Sequence, residues 1–380
     1  MGYPTPLTAP AFGSYSADDV KWLLKDLSHA ELEAPVEDRE EAIQNGGAHY
    51  SESLPVEYQP TEAYQQLFKD SLIESSATIA DAVAKVMKLV ISERGENLVL
   101  VSLARAGTPI GILMKRYARA KYGLELPHYA VSIVRGKGID ENALGYLAEN
   151  YESSSIVFVD GWTGKGAITK ELDVAITAHN EKFGTAFISD VAVLADPAHS
   201  VRYFGTREDF LIPSACLNST VSGLVSRTVL NDDFIGADDY HGAKFYADLA
   251  DSDYSNTFID AIAAEFDAID DSTLDPGTPD DNPSWIGWKT IERISEEYGI
   301  NSVNLVKPGV GETTRVLLRR VPWKILVRKD ALASLSHVTV LAESRGVIIE
   351  TVDDLPYSCI GLIHPNYTKG ATGFDGTAAK

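Results

Sequence analysis

The stretch Ile156-Val157-Phe158-Val159-Asp160-Gly161-Trp162-Thr163-Gly164-Lys165-Gly166 is an apolar run that ends in an acid and breaks into a glycine turn carrying a hydroxyl and a cation. Backbone N–H groups at a glycine-rich strand-to-helix turn converge on one concavity, and the following helix adds the positive end of its dipole. The pattern predicts an anion site. Thr163 offers a hydroxyl, Lys165 a charge, Gly164 and Gly166 their amides, and Asp160 a carboxylate for a sugar hydroxyl or a metal. The nucleotide-binding spacing G-x-x-x-x-G-K-[ST] is absent. Two further loops follow apolar runs. Ala104-Arg105-Ala106-Gly107-Thr108 presents Arg105 beside Gly107 and Thr108, and Arg135-Gly136-Lys137-Gly138 carries two cations on glycine hinges, which suits a lid over a phosphorylated ligand.

A second chemistry is available at Cys216, in "LIPSACLNSTVSGLVSRTVL" (211–230). If the segment is helical from about Asn218, then Ser219, Ser222 and Ser226 share a face. Cys216 then sits near a helix N-terminus, where the dipole favours the thiolate. Such a thiol is a nucleophile when a histidine serves as base, and His49, His199 and His241 are candidates. The alternative is a small buried hydrophobe, the usual fate of a free cysteine. Arg227 in the same segment could pair with nearby acids or with a ligand phosphate. A third chemistry lies in "TTRVLLRRVPWKILVRK" (313–329), where Arg315, Arg319, Arg320, Lys324, Arg328 and Lys329 occur with no acid and surround Trp323. Cations interleaved with an aromatic suit an RNA backbone and a stacked base, and a solvated charge run reads the same way.

The elements that must position these residues are read from periodicity. Ser16-Ala17-Asp18-Asp19 before "VKWLLKDL" reads as a capped helix start. Residues 37–60 are polar and punctuated by Gly and Pro, a loop or arm. From 61 to 93 apolar residues recur at helical spacing. Short apolar runs at 97–104, 128–134, 155–160 and 187–196 then alternate with helical segments, which predicts a parallel, doubly wound sheet. Ligands on such sheets bind beyond the carboxyl ends of the strands, where all three loops emerge. Residues 231–285 form an acidic segment and linker. Residues 286–366 form a small α/β unit, and 367–380 a disordered tail. The expected division is a leader and arm at 1–60, a main domain at 61–230, the linker, the small domain and the tail.

With 380 residues and a 44% hydrophobic content, two or three domains are expected. The net charge of −22 is concentrated: residues 231–281 hold fifteen acids against Lys244 alone. An acidic chain argues against nonspecific coating of DNA but leaves room for a local basic surface. No apolar run is long enough to span a membrane, and the N-terminus lacks a secretory pattern and reads as a flexible leader. Two cysteines exclude a cysteine-cluster zinc site and suit a cytoplasmic chain with reduced thiols. A homo-oligomer is compatible with all of this.

The opening turn resembles the signature of type I phosphoribosyltransferases, with Gly161 in place of a second acid. "SLARAGTPIG" resembles the pyrophosphate-side loop of the same enzymes. More broadly, "GSYSADDVKWLLK", "GGAHYSESLPVEYQP", "VSLARAGTPIGILMKR", "SIVRGKGIDENAL", "FVDGWTGKGAITKEL", "IPSACLNSTVSGLVSRTVL", "KPGVGETTRVLLRRVPWKILV" and "PYSCIGLIHP" resemble one bacterial family over residues 12–366. That family is described as a phosphoribosyltransferase-like domain joined to a Pelota-type RNA-binding domain. It is associated with TerD-type tellurite-resistance stress clusters and also carries the label cysteine protease StiP.

The resemblance implies a type I phosphoribosyltransferase-like parallel sheet with an N-terminal helical region and a small C-terminal Pelota domain. It implies a phosphoribosyl diphosphate or related nucleotide as ligand, Mg²⁺ bridging pyrophosphate and ribose, and RNA as a partner. It assigns Asp160, Thr163, Gly164, Lys165 and Gly166 to the sugar-phosphate loop and Arg105 and Gly107 to the pyrophosphate side. Under the protease label Cys216 is the nucleophile, because Cys359 lies inside the apparent strand "YSCIGLI". The favoured expectation is a phosphoribosyltransferase-like enzyme in a stress response. The alternatives are a cysteine hydrolase and a noncatalytic nucleotide or RNA binder.

Overall fold

Six strands form one parallel sheet in the computed structural model, which describes residues 2–34, 49–57, 59–319 and 322–363. In chain order the first unit comprises β1 (Lys21–Leu23), α1 (Glu62–Arg94), β2 (Val99–Ala104), α2 (Gly107–Tyr122), β3 (His128–Val134), α3 (Glu141–Asn150), β4 (Ile156–Trp162), α4 (Ala167–Phe183), β5 (Val191–Ala195), β6 (Tyr203–Thr206) and α5 (Ser255–Ala263). The strands lie in the order β1-β3-β2-β4-β5-β6, and a short strand at Gly138–Ile139 folds back antiparallel on β3. β2, β3 and β5 are apolar nearly throughout because both faces of the sheet are covered. Along β4, Val157 and Val159 enter the core shared with α1 and α2, while Ile156 and Phe158 enter the opposite core with Leu144, Leu172 and Ile176.

From β2 the chain runs to β3 on one side and then crosses to β4 on the other. The crevice between the carboxyl ends of β2 and β4 is therefore the topological switch point, where ligands of open α/β sheets bind. Here its floor is closed by backbone. A side chain at Gly107 would overlap the Val159 carbonyl, and a Cβ at Gly161 would stand 3.2 Å from the Ala106 carbonyl oxygen.

The second unit comprises α6 (Ile286–Glu297), β7 (Val306–Pro308), α7 (Val310–Arg319), β8 (Pro322–Arg328), α8 (Ser336–Ser344), β9 (Ile348–Val352) and β10 (Cys359–Ile363). Its sheet runs β7-β10-β8-β9, with β10 antiparallel to both neighbours and β8 parallel to β9. No helix among the described residues is long and apolar enough to cross a membrane.

Several expectations are corrected. Residues after Ser16 form edge strand β1, not a helix, because Trp22 and Leu23 point to different cores and Trp22 pairs with Leu7. The leader is packed: Phe12 and Tyr15 are fully buried, and the Tyr15 hydroxyl donates to the Val221 carbonyl at 3.0 Å. The segment 211–230 is no helix. It forms tight turns at Pro213–Ala215 and Ser219–Val221, and Gly223 and Leu224 follow at φ +73° and +57°. β6, α5 and α7 were not anticipated, and within the acidic segment Phe258, Ile259 and Ile262 of α5 join the core. The tail 367–380 lies outside the described residues.

The backbone contact at the switch point carries an expected outcome. Gly107→Ala should destabilise the chain by about 1–3 kcal/mol in urea unfolding, because the added methyl must displace β4 backbone and not a flexible side chain.

Candidate functional site

The turn after β4 is tied by hydrogen bonds to both units of the chain. The Thr163 hydroxyl donates to Asp196 at 2.5 Å, and its amide donates to the Ala195 carbonyl at 3.0 Å. The Gly164 carbonyl accepts from the Tyr357 hydroxyl at 2.6 Å. Lys165 Nζ donates to Asn304 Oδ1 at 2.7 Å and to the Val303 carbonyl at 3.3 Å. Gly166 has φ +80° and lies against the Trp285 ring and the Ser200 Cβ. Three of these partners, Trp285, Asn304 and Tyr357, belong to the second unit or its approach, so that unit fills the turn. Burial, reinforced by Lys307 and Arg135, pulls the Lys165 pKa down to about 7.

The neighbouring loops are also occupied. Arg105 Nη1 donates to the Val225 carbonyl at 3.2 Å. Thr108 is fully buried at the start of α2. The amides of Gly136 and Gly138 each donate to the Glu171 carboxylate at 2.9 Å, so the expected lid is pinned to α4. Arg135 lies over the Tyr50 ring at 5.1 Å, and Lys137 projects outward. Asp160 accepts from the Gly161 amide at 2.8 Å, and burial pushes its pKa up to about 7. Among the described residues no group of three or more His, Cys, Asp or Glu stands close enough to hold a metal ion.

Cys216 follows the Pro213–Ala215 turn, with its amide bonded to the Pro213 carbonyl at 2.9 Å, and its side chain is fully buried. The arm 49–57 lies along the same segment. Ser219 donates twice to Glu57, from its amide at 3.2 Å and its hydroxyl at 2.9 Å. The Leu230 amide donates to the Ser51 carbonyl at 3.0 Å, and Arg227 donates to the carbonyls of Tyr50 and Ser53. Sequence reasoning offered Arg227 to acids or phosphate; here it binds carbonyls of the arm.

The three histidines are held differently. His49 Nδ1 lies 2.8 Å from Ser51 Oγ, and His241 Nδ1 lies 2.8 Å from Ser132 Oγ. His199 stands near Arg207, Asp196 and Asp280, and burial lowers its pKa. Cys359 lies in β10, fully buried, with its thiol pushed well above the ordinary range by burial and by Asp209.

In the second unit much of the basic run is paired internally. Arg315 bridges to Glu312 at 2.7 Å and donates from Nε to the Ala215 carbonyl at 3.0 Å. Lys324 bridges to Glu350 at 2.6 Å, and Trp323 meets Tyr298 edge to face. Arg328 pairs with Asp330 at 2.6 Å. Arg320 lies outside the described residues, and Arg319 closes α7. Sequence reasoning missed Asp209. It is half-buried, accepts from the amides of Val310 at 2.9 Å and Ser358 at 2.7 Å, and desolvation raises its pKa to about 6. The only signal in the sequence was an acid, Asp209, beside Phe210 and the apolar run that follows it.

Fold and site define the class as a mixed α/β protein with a parallel-sheet unit and a Pelota-like C-terminal unit. Residues 13–263 match the family model described as "Tellurite-like stress resistance cysteine protease StiP", and residues 285–365 match that described as "PELOTA RNA binding domain". The chain is 33% identical over 371 residues to a protein of Acinetobacter baylyi named "Cysteine protease StiP", covering 92% of this chain and 94% of that relative. No solved structure matches. The chain belongs to the StiP family. The expected phosphoribosyltransferase is thereby overturned, because both the family and the relative are described as cysteine proteases.

Asp160 gives a pH signature. Between its ordinary value of 3.8 and about 7 the folded chain keeps a proton that the unfolded chain has lost. The stability penalty is therefore absent below the first value, grows with pH, and is complete above the second. Asp160→Asn never ionises. In urea unfolding it should match the parent near pH 4 and be the more stable of the two near pH 8.

Proposed function

We propose that this protein is a cysteine hydrolase that cleaves amide bonds in peptides, with Cys216 as nucleophile. The observation that carries the reading is the contrast between the two thiols. Cys359 is locked in a core strand with its thiolate strongly disfavoured, whereas Cys216 follows a turn at the carboxyl edge of the sheet, in the unit matched to the protease family. In the reaction the thiolate attacks the amide carbonyl carbon and forms a C–S bond. The C–N bond then breaks, and the departing amine takes the proton held by a histidine. Water adds to the thioester, returns a proton to the histidine, and breaks the C–S bond to release the acid. Of the three candidate bases His49 is favoured, because it is carried by the arm that packs along the Cys216–Asn231 segment, and Ser51 holds its Nδ1. For the C-terminal unit the family description supports RNA as partner.

Cleavage of denatured casein tests the assignment. Cys216→Ala should lower the rate by about a thousandfold or more. Cys359→Ala should keep it within about threefold while costing about 1–2 kcal/mol of stability. His49→Ala should lose far more activity than His199→Ala or His241→Ala. Casein cleavage that survives in Cys216→Ala would falsify the reading.

A further inference from the structure

A nucleophile must meet its substrate, yet Cys216 has no solvent exposure. The turn that presents it, Pro213–Ala215, lies under α7. Arg315 of α7 donates to the Ala215 carbonyl at 3.0 Å, and a Cβ at Gly311 would stand 3.0 Å from the Ala215 Cβ. The space left at this seam, bordered by Trp162, Ile212 and Ala215 on one side and Gly309 and Gly311 on the other, is a cavity of about 10 Å³. That is room for one water and not for a peptide. A cleft of about 800 Å³ does exist, between the Gly136–Asn142 loop and the Leu230–His241 segment, but no residue of the cysteine turn lines it.

The contacts that hold the second unit down are both polar and apolar. Asp209 receives the amides of Val310 and Ser358, and its own carbonyl accepts the Ser358 hydroxyl at 2.6 Å. Tyr357 caps Gly164, Lys165 reaches Asn304, and the amides of Trp285 and Gly287 bond the carbonyls of His199 and Ala198. Lys170 lies 4.1 Å from the Trp288 ring centre. Val310, Leu317, Ile325, Val327 and Cys359 share one apolar cluster with the first unit's core. Hydrogen bonds of this kind exchange readily with water, and contacts between domains of one chain behave like transient interfaces. The two units are joined through residues 270–285, which contain no helix or strand. That stretch is fastened to the first unit by Lys88, Tyr117 and Tyr122 at its start and by Arg202 and Arg207 at Asp281 and Asp280, so the second unit swings on the few residues that follow, 282–285.

We infer that the C-terminal unit is an inhibitory cover: docked through α7 and Asp209 it shuts the Cys216 turn away from peptide, and undocking opens it. This rests on the hydrolase reading, and the test separates the two. The full chain and two variants are treated with iodoacetamide, and alkylation of each cysteine is followed by mass spectrometry, with casein cleavage measured in parallel. Gly311→Leu is a wedge with no room against Ala215. Asp209→Ala combined with Arg315→Ala removes two polar clamps. In the parent Cys216 should label slowly. Each variant should label it faster, by about fivefold for each clamp lost and more for the wedge. The circular dichroism of each variant should match the parent's, so that faster labelling reports undocking of a folded chain. Unchanged Cys216 labelling in both variants overturns the cover. So does faster labelling that appears only together with loss of the folded circular-dichroism signal, since the thiol would then be reached only by unfolding. Faster Cys216 labelling with no casein cleavage in any form leaves the cover standing and removes the hydrolase.

Discussion

Asp196, a carboxylate with no solvent exposure, stands where β5 ends and holds the carboxyl edge of the sheet in shape. It takes the Thr163 hydroxyl at 2.5 Å and the amides of Ser200 and Val201 at 3.0 and 3.2 Å, and it pairs with Arg207. Burying an ion costs several kcal/mol unless its lone pairs are fully used, and here they are used by four groups. Arg207 reaches on to Asp280 in the linker at 2.6 Å. One charge thus joins the turn after β4, the loop after β5 and the segment that delivers the second unit. The carbonyls of Ala198 and His199, in that same loop, are the ones that receive α6 at its start. The seam between the units is therefore set by the first unit's own polar core.

The seam also explains why a glycine turn with Thr and Lys misled. Its composition does mark a strand-to-helix turn with inward amides, and the turn is where it was expected. What the turn binds is a different question. Its ligands are a tyrosine hydroxyl, an asparagine and a tryptophan of the same chain, and the Gly164–Tyr357 and Lys165–Asn304 contacts span 193 and 139 residues. Glycine there allows close approach of protein, as it would of phosphate.

Strands β2, β3 and β4 were legible because burial on both faces writes a continuous apolar run, and α1 because Ile79, Val83, Val86 and Val90 recur on one stripe. β1 was not, since three residues flanked by acids and lysines look like a helix start until Leu7 and β3 are seen beside them. β6, "YFGT", is too short and too polar to announce itself. The serines of 219–226 match helical spacing, but Gly223 must accept the Tyr15 ring, and that contact is nonlocal. For the site, the choice of Cys216 over Cys359 as the candidate thiol came from residue types and neighbours. The thiol's burial under α7 did not, because nothing near Cys216 in the chain encodes it.

The packed leader has a consequence for biosynthesis. Phe12, Tyr15 and Trp22 are synthesised well before the partners that bury them, which include Val221, Gly223 and Phe245; Tyr15 precedes Val221 by 206 residues. Their apolar surface stays unsatisfied until those partners have been made. Contacts of such long sequence separation slow folding and lengthen the interval in which a nascent chain can aggregate. Chaperone demand should therefore concentrate on the Phe12–Trp22 segment.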